Sequence, residues 1–175
     1  DHALEVWAVE YDLDVHPNAR AYVLPCIAGH VGADTAAVLL AVLLHPAVIW
    51  LGEGIKLLYP MSPETIEQLA PLSNQLQEMP LLWLLPLLAF LPAICEELAF
   101  RGFILSGLRH TGHKWVAIVL SSIFFGVTHG LLQQSLAACV LGVVIGYLAV
   151  QSGSLLPGIL FHVTHNSLTL LAGRF

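Results

Sequence analysis

Charged residues are scarce in this sequence. Only 10% of its 175 residues are Asp, Glu, Lys or Arg, whereas about a quarter is usual for a soluble domain. Because 57% of the residues are hydrophobic, the chain cannot cover a water-facing surface, and we expect an integral membrane protein surrounded by a lipid bilayer. Basic residues number only six against twelve acidic ones. This balance argues against a nucleic-acid partner, which requires a basic face.

Cysteine is also rare, and Cys26, Cys95 and Cys139 lie far apart. They show no C-x-x-C spacing, so neither a disulfide framework nor a zinc knuckle is indicated. Cys95 precedes a glutamate pair and is a formal candidate for a thiol nucleophile, but no neighbouring residue would activate its thiolate. We interpret all three cysteines as small apolar residues of helices.

Long apolar runs make up most of the chain and predict an all-α bundle of about five membrane-spanning helices, because about 20 apolar residues cross a bilayer core. The runs are 35–52, 80–109, 115–131, 134–150 and 154–172. Pro86 and Pro92 argue against a straight helix over 80–109. Gly142 and Gly146 are four residues apart, a spacing of small residues that permits close helix packing.

The remaining segments are too polar to span a membrane. We expect residues 1–34 to be an N-terminal interfacial or irregular segment, followed by a single membrane domain over 35–175. Residues 53–79 are expected to form an acidic connection at the membrane surface, with a short amphipathic turn around 64–72. The loop 110–114 has basic residues at its edges, so the positive-inside rule places it in the cytoplasm and 53–79 on the other side.

Polar residues that interrupt the apolar runs are the best guide to function. A charged side chain at the centre of a spanning helix costs on the order of 2.5–3.5 kcal/mol, so these groups are expected to meet one another inside the bundle. They fall into three motifs: Glu96, Glu97 and Arg101; Phe125 and His129; His162, His165 and Asn166. His45, which precedes a proline in the first apolar run, is interpreted as an interhelical hydrogen-bonding or kink-capping residue.

Glu97 and Arg101 are four residues apart, so they share a helix face and are expected to pair. Glu96 points about 100° away from Glu97 and has no cation nearby in the sequence. A low-dielectric setting disfavours the charged form of such a carboxylate, which suits Glu96 to accept a proton as a general base. The alternative is a buried ion network that only holds helices together.

The two histidine motifs supply further groups. Phe125 and His129 lie one turn apart, so the ring can shield a site in which the histidine acts. His162 and Asn166 also share a face, and both offer N–H donors that suit an oxyanion hole. Taken alone, His129 is more typical of a core or interface histidine, and the pair of His162 and Asn166 is equally typical of interhelical hydrogen bonding. In a metal-dependent alternative, Glu96, His129 and His162 would be the ligands of a catalytic zinc ion.

Taken together, the three motifs resemble those of the CPBP intramembrane proteases, also called the CAAX prenyl endopeptidase type II or Abi family. The resemblance covers about residues 80–172. The stretch GFILSGLRH after Arg101 and the Ser-Gly-Ser-Leu-Leu-Pro-Gly-Ile stretch before His162 are similar to bacterial members. The joint order of the motifs is specific, whereas each motif alone is not.

The resemblance implies an intramembrane endopeptidase of the bacterial inner membrane that acts on a membrane-embedded or lipid-anchored peptide or protein. It implies that Glu96 and His129 orient and deprotonate the attacking water, and that His162 and Asn166 bind the oxyanion. The supporting residues would be Glu97, Arg101 and Phe125. We favour a mechanism without a cofactor, because His162 and Asn166 then both have a role, and zinc stays the alternative.

Two other functions are open at this point. One is a non-catalytic membrane module, such as a bacteriocin-immunity or transporter-permease-associated subunit with the same fold. A sequence that begins at Asp1 rather than methionine suits an excerpt of a longer protein, such as a permease fusion, or a processed form. The other is an ion or proton transporter that uses Glu96 and the histidines as a relay. The complete set of site residues favours the enzyme, and the lack of inverted-repeat symmetry counts against the transporter.

Overall fold

The computed structural model describes residues 19–108 and 112–174, with side chains from residue 31 onwards. Across these residues the chain is helical and contains no strand, which confirms the all-α class. The helices are α1 (Ala19–Leu58), α2 (Pro63–Glu78), α3 (Leu81–Leu108), α4 (Lys114–Val127), α5 (Leu132–Ser152) and α6 (Leu156–Ala172). The basic loop predicted at 110–114 lies partly outside the described residues.

Three helical stretches are long and apolar enough to cross a membrane, namely Val31–Leu58, Leu81–Leu108 and Leu132–Ser152. The sequence predicted about five; α4, with 14 residues, is shorter than the span of a bilayer core, and α6, with 17, is at the lower end of the spanning range. Large apolar side chains point outward along the long helices, as with Trp50 and Phe103, which are 79% and 80% exposed. The chain is therefore an integral membrane protein whose outer surface suits contact with lipid.

Helix covers more of the chain than the apolar runs alone indicated. The helix α1 begins at Ala19, so residues 19–34 of the expected interfacial or irregular segment are helical, while 1–18 lie outside the described residues. The turn predicted around 64–72 is part of the 16-residue helix α2. Its start is well specified, because the Ser62 hydroxyl accepts the backbone N–H of Thr65 at 3.1 Å and Pro63 occupies the first helical turn. No residue of α2 is buried, so the helix lies outside the bundle.

The irregularity that the prolines predicted in α3 takes the form of widened turns. Leu85–Phe90 and Leu98–Leu105 are π-helical, and Pro86 lies in the first of these segments, where its missing N–H interrupts the regular ladder. The glutamate pair ends the regular α-helical segment Leu91–Glu97 between them. Glu96 and Glu97 thus lie where α3 changes from α-helical to π-helical hydrogen bonding.

Small residues let the helices that carry the motifs approach closely. A Cβ atom on Gly142 of α5 would lie 2.9 Å from Ser122 Cβ of α4, and one on Gly146 would lie 3.2 Å from Ile118 Cγ2. The close packing predicted from these two glycines is therefore present. On the other side of α5, the core groups Ala37, Ala41, Ile145 and Phe161 from α1, α5 and α6. In this arrangement α1, α5 and α6 pack against one another, and His162 and His165 of α6 are buried inside the bundle.

Candidate active site

The first and third motifs meet at one carboxylate oxygen. Arg101 Nη1 donates to Glu97 Oε1 at 2.8 Å, and both side chains are fully buried, as their spacing predicted. His162 Nδ1 lies 2.9 Å from the same oxygen. A carboxylate that already accepts from Arg101 can only accept, so His162 Nδ1 is the donor. Glu97 therefore fixes the ring of His162 as well as pairing within its own helix.

Glu96 faces the opposite edge of the same imidazole. Its Oε2 lies 3.6 Å from His162 Nε2, which is beyond hydrogen-bond length. Its side chain is 30% exposed, in contrast to the fully buried Glu97. The ring of His162 thus lies between two carboxylates. Glu97 accepts a hydrogen bond from Nδ1, whereas Glu96 lies near Nε2 without a hydrogen bond.

Arg101 ties three helices together. Besides its bond to Glu97, its Nη2 donates to the backbone carbonyl of Gly142 in α5 at 3.0 Å. Its guanidinium carbon lies 4.5 Å from the centre of the Phe125 ring in α4, in cation–π geometry. The buried cation is therefore neutralised, hydrogen-bonded and stacked, which fixes the position of Glu97 beside α6.

The ring of Phe125 contacts both histidines of the site. It meets the rings of His129 and His162 edge-on, with centroids 4.9 and 5.6 Å away. His129 lies in the turn just after α4 ends at Val127, and its Nδ1 donates to the Phe125 carbonyl at 3.0 Å. Because that carbonyl only accepts, the hydrogen is on Nδ1, and Nε2 of His129 carries a free lone pair.

A cavity of about 400 Å³ runs from the surface near the end of α1 into the bundle. Of the predicted residues, Phe125, His129, His162 and Asn166 line it, together with His165. Glu96, Glu97 and Arg101 do not line it. Its other walls are mainly apolar and come from α1, α5 and α6: Val48, Ile49, Ala137, Ala138, Leu141, Ile145 and Phe161. Three of the four predicted reacting residues therefore share one largely apolar cavity, whereas Glu96 lies outside its lining, with Oε2 3.6 Å from Nε2 of His162.

The predicted zinc ligands do not form a metal-binding group. Within the described part of the chain, no three His, Cys, Asp or Glu side chains are grouped so that they could hold a metal ion. His162 commits Nδ1 to Glu97 and His129 commits Nδ1 to a carbonyl, so each ring keeps Nε2, as metal-binding histidines also do. As they stand, however, Glu96, His129 and His162 do not converge on one point as the three protein ligands of a catalytic zinc ion would.

Two features of the site were missed by reasoning from the sequence. One is the contact of Glu97 with His162, since Glu97 was assigned only to the pair with Arg101. The other is a histidine pair, in which His45 Nδ1 of α1 lies 3.4 Å from His165 Nδ1 of α6. The interhelical interpretation of His45 is confirmed, but its partner is 120 residues away and could not be read from spacing.

The chain was compared with known proteins. A family model described as Type II CAAX prenyl endopeptidase Rce1-like matches residues 78–168, just over half of the chain. The match includes all three motifs. A second model, the RACo middle region, matches residues 1–47, about a quarter of the chain, and supports no conclusion about the site. No curated protein and no solved structure matches the chain.

Proposed function

Because the chain belongs to the Rce1-like family of type II CAAX prenyl endopeptidases, a family of proteases, we propose that it is an intramembrane endopeptidase that hydrolyses a peptide bond with a water activated by Glu96 and His129. One observation carries this proposal. His129, His162 and Asn166, from two different parts of the chain, line a single apolar cavity, and Glu96 Oε2 lies 3.6 Å from Nε2 of His162.

Glu96 is the proton acceptor in this proposal. It is the one carboxylate of the pair without a bonded cation, and its side chain is 30% exposed, whereas that of Glu97 is fully buried. His129 presents the lone pair of Nε2 and orients the same water. The water oxygen attacks the carbonyl carbon while its proton passes to Glu96. When the C–N bond breaks, Glu96 returns that proton to the leaving amine.

His162 and Asn166 stabilise the negative charge that develops on the carbonyl oxygen. The amide of Asn166 donates without any change of protonation. His162 uses Nδ1 to donate to Glu97, so its Nε2 carries a hydrogen only when both ring nitrogens are protonated. Glu97 is thus a positioning residue for the oxyanion donor.

The substrate in this proposal is a peptide segment held in or anchored to the membrane, since the cavity is walled mainly by apolar side chains and extends to residues near the end of α1. The bacterial inner membrane is the proposed location. A soluble peptide would have to enter a bundle whose outer face is apolar, which favours a substrate that already resides in the lipid.

Alanine substitution of the reacting groups tests the function. Glu96→Ala, His129→Ala and His162→Ala are each expected to lower kcat/KM for a lipid-anchored, fluorophore–quencher peptide by at least about 100-fold in proteoliposomes. Exposed His113→Ala is the matched control and is expected to cleave at the wild-type rate. Full activity in all three site variants would contradict the endopeptidase, and a wild-type protein that cleaves no anchored peptide would favour a non-catalytic membrane module.

Chelation tests the proposed absence of a metal. The purified protein is expected to keep its cleavage rate after exhaustive dialysis against a strong chelator, because no step of the mechanism uses a Lewis acid. The residual zinc content is measured in parallel by elemental analysis. Loss of activity that returns when stoichiometric zinc is added would contradict the mechanism based on glutamate and histidine alone.

A further inference from the structure

His165 is a buried histidine that lines the active-site cavity, yet the mechanism above does not use it. His165 is only 8% exposed, and it lines the cavity together with His162 and Asn166. Its ring stacks on Phe161, with centroids 6.4 Å apart and planes 12° apart. The imidazole is therefore held in one orientation, with Nδ1 toward α1. The nitrogen left for the cavity is Nε2.

His45 of α1 is the polar partner that faces Nδ1 of His165. The two Nδ1 atoms are 3.4 Å apart, and the rings meet edge-on with centroids 5.1 Å apart. One nitrogen must donate a hydrogen and the other must accept it. The second nitrogen of His45, Nε2, is buried and has no hydrogen-bond partner among the described residues.

The environment of His45 Nε2 indicates which ring donates the hydrogen bond between the two Nδ1 atoms. If His165 donated, the hydrogen of neutral His45 would sit on Nε2, where the described residues provide no acceptor for a buried N–H group. Lipid around the bundle offers no substitute partner. If His45 donates through Nδ1, its Nε2 carries only a lone pair, and orphaned acceptors are more common than orphaned donors. His165 then accepts at Nδ1 and carries its own hydrogen on Nε2, toward the cavity.

We propose that His165 donates this Nε2–H to a backbone carbonyl of the bound peptide, and that His45 is the positioning residue that fixes the tautomer. The inference rests on the proposed endopeptidase function. It adds a substrate-binding residue to the cavity wall. It also makes α1 part of the site, because His45 lies outside residues 78–168, which match the family model.

Two substitutions at His165 distinguish the effect of its N–H donor from the effect of removing the ring. Gln places an N–H donor near the position of Nε2, whereas Asn offers polar atoms only near Nδ1. His165→Asn is expected to raise KM for the lipid-anchored peptide about tenfold with kcat changed by less than about twofold, as expected for loss of one substrate hydrogen bond. His165→Gln is expected to retain most of the wild-type affinity. Equal KM values for Asn, Gln and wild type would overturn the proposal.

A double-mutant comparison tests the role of His45. His45→Phe keeps the ring contact but removes the donor, so it is expected to raise KM severalfold in the wild-type background. In the His165→Gln background, where no tautomer needs to be fixed, the same change is expected to have little effect. An equal rise in both backgrounds would show a packing role only and would overturn this part of the proposal. Exposed His113→Phe is the control for the substitution itself.

Histidine-selective ¹⁵N NMR of the protein in bicelles gives a readout that needs no substrate. The resonances are assigned from the spectra of His45→Phe and His165→Phe. The proposal expects the Nδ1–H tautomer at His45 and the Nε2–H tautomer at His165, and the reverse pair of tautomers would overturn it. His162→Ala serves as a reference in the kinetic series. If that variant is inactive while the His165 variants match wild type, only this inference fails. If His162→Ala is also fully active, the endopeptidase itself is in doubt.

Discussion

At the residue scale, Glu97 Oε1 is the atom on which the site depends most. It accepts from Arg101 in its own helix and from His162 in α6, and no part of the Glu97 side chain is exposed. A buried ion pair is costly to break on one side only, because the remaining charge is left without compensation. The same oxygen therefore contributes to the stability of the bundle and orients His162, the proposed oxyanion donor.

Changing Glu97 separates these two effects. Glu97→Gln leaves Arg101 buried without a counter-charge, and we expect it to lower the free energy of unfolding by about 3 to 5 kcal/mol. The double change Glu97→Gln with Arg101→Met removes both charges and is expected to recover most of that stability. Activity is expected to stay low in both variants, because neither supplies a carboxylate to His162. Thermal unfolding in detergent and peptide cleavage are measured together, and a fully active double variant would contradict the positioning role of Glu97.

Spacing within one helix could predict contacts of this kind, but spacing cannot predict contacts between helices. The bond between Glu97 and Arg101 follows from their four-residue separation. The bonds of His162 to Glu97 and of His45 to His165 join residues 65 and 120 positions apart. Their pairing depends on how each helix is rotated in the bundle, which hydrophobicity does not determine in a chain that is apolar on nearly every face. The residue types of the candidate site were therefore predictable, whereas the partner of each nitrogen was not.

At the scale of elements, the approach of α4 to α5 positions the second motif. Gly126 lies between Phe125 and His129, and a Cβ atom there would lie 2.1 Å from Cys139 Sγ and 2.7 Å from the Ser135 carbonyl oxygen. The second neighbour is backbone and cannot rotate away. The two helices would have to separate to accommodate even one methyl group.

We expect Gly126→Ala to destabilise the protein by about 1 to 3 kcal/mol, the usual cost of overpacking, and to reduce activity by displacing Phe125 and His129. Gly54→Ala in α1 is the matched control, because its Cβ would meet nothing within 4 Å. That control is expected to be neutral or to stabilise by up to about 1 kcal/mol, since alanine favours the helix. Thermal unfolding of both variants measures the difference, and equal stability would show that α4 and α5 are not in contact at this glycine.

The helices could be predicted from the sequence where it is strongly hydrophobic. The apolar runs identified α3 to α6 within a few residues, because few polar residues interrupt them. The helix α2 was expected to be only a short turn, since Pro63 and Pro71 suggested a loop and its residues are polar. Proline at the start of a helix stabilises it instead, and the Ser62 cap adds to this effect. The widened turns of α3 also escaped prediction, because proline indicates an irregularity without specifying its form.

At the scale of the whole molecule, aromatic residues mark two membrane interfaces. Trp50, Tyr59 and Trp83 are exposed near the end that carries α2, and Trp115 and Tyr147 stack at the opposite end with ring centroids 5.7 Å apart. Trp and Tyr are typical of the boundary between lipid and water. The cavity opens near Lys56 and Met61, so it faces the interface beside α2.

The positive-inside rule gives a testable orientation. The edges of the loop before α4 are basic and the region of α2 is acidic, so His113 is expected in the cytoplasm and Gln75 on the other side. A cysteine at either position, with the native cysteines replaced, is labelled with a membrane-impermeant maleimide in intact cells and in inverted vesicles. Gln75→Cys is expected to react only in intact cells and His113→Cys only in inverted vesicles. The reverse pattern would place the cavity mouth in the cytoplasm.

The most direct test of hydrolysis by this site is the cleavage rate of Glu96→Gln beside that of wild type in proteoliposomes. Gln has nearly the size of Glu but cannot take a proton from water, while the contacts of Glu97, Arg101 and His162 stay intact. The proposed mechanism predicts a fall in kcat of at least about 100-fold with unchanged thermal unfolding. A Glu96→Gln protein that cleaves the lipid-anchored peptide at the wild-type rate would contradict it.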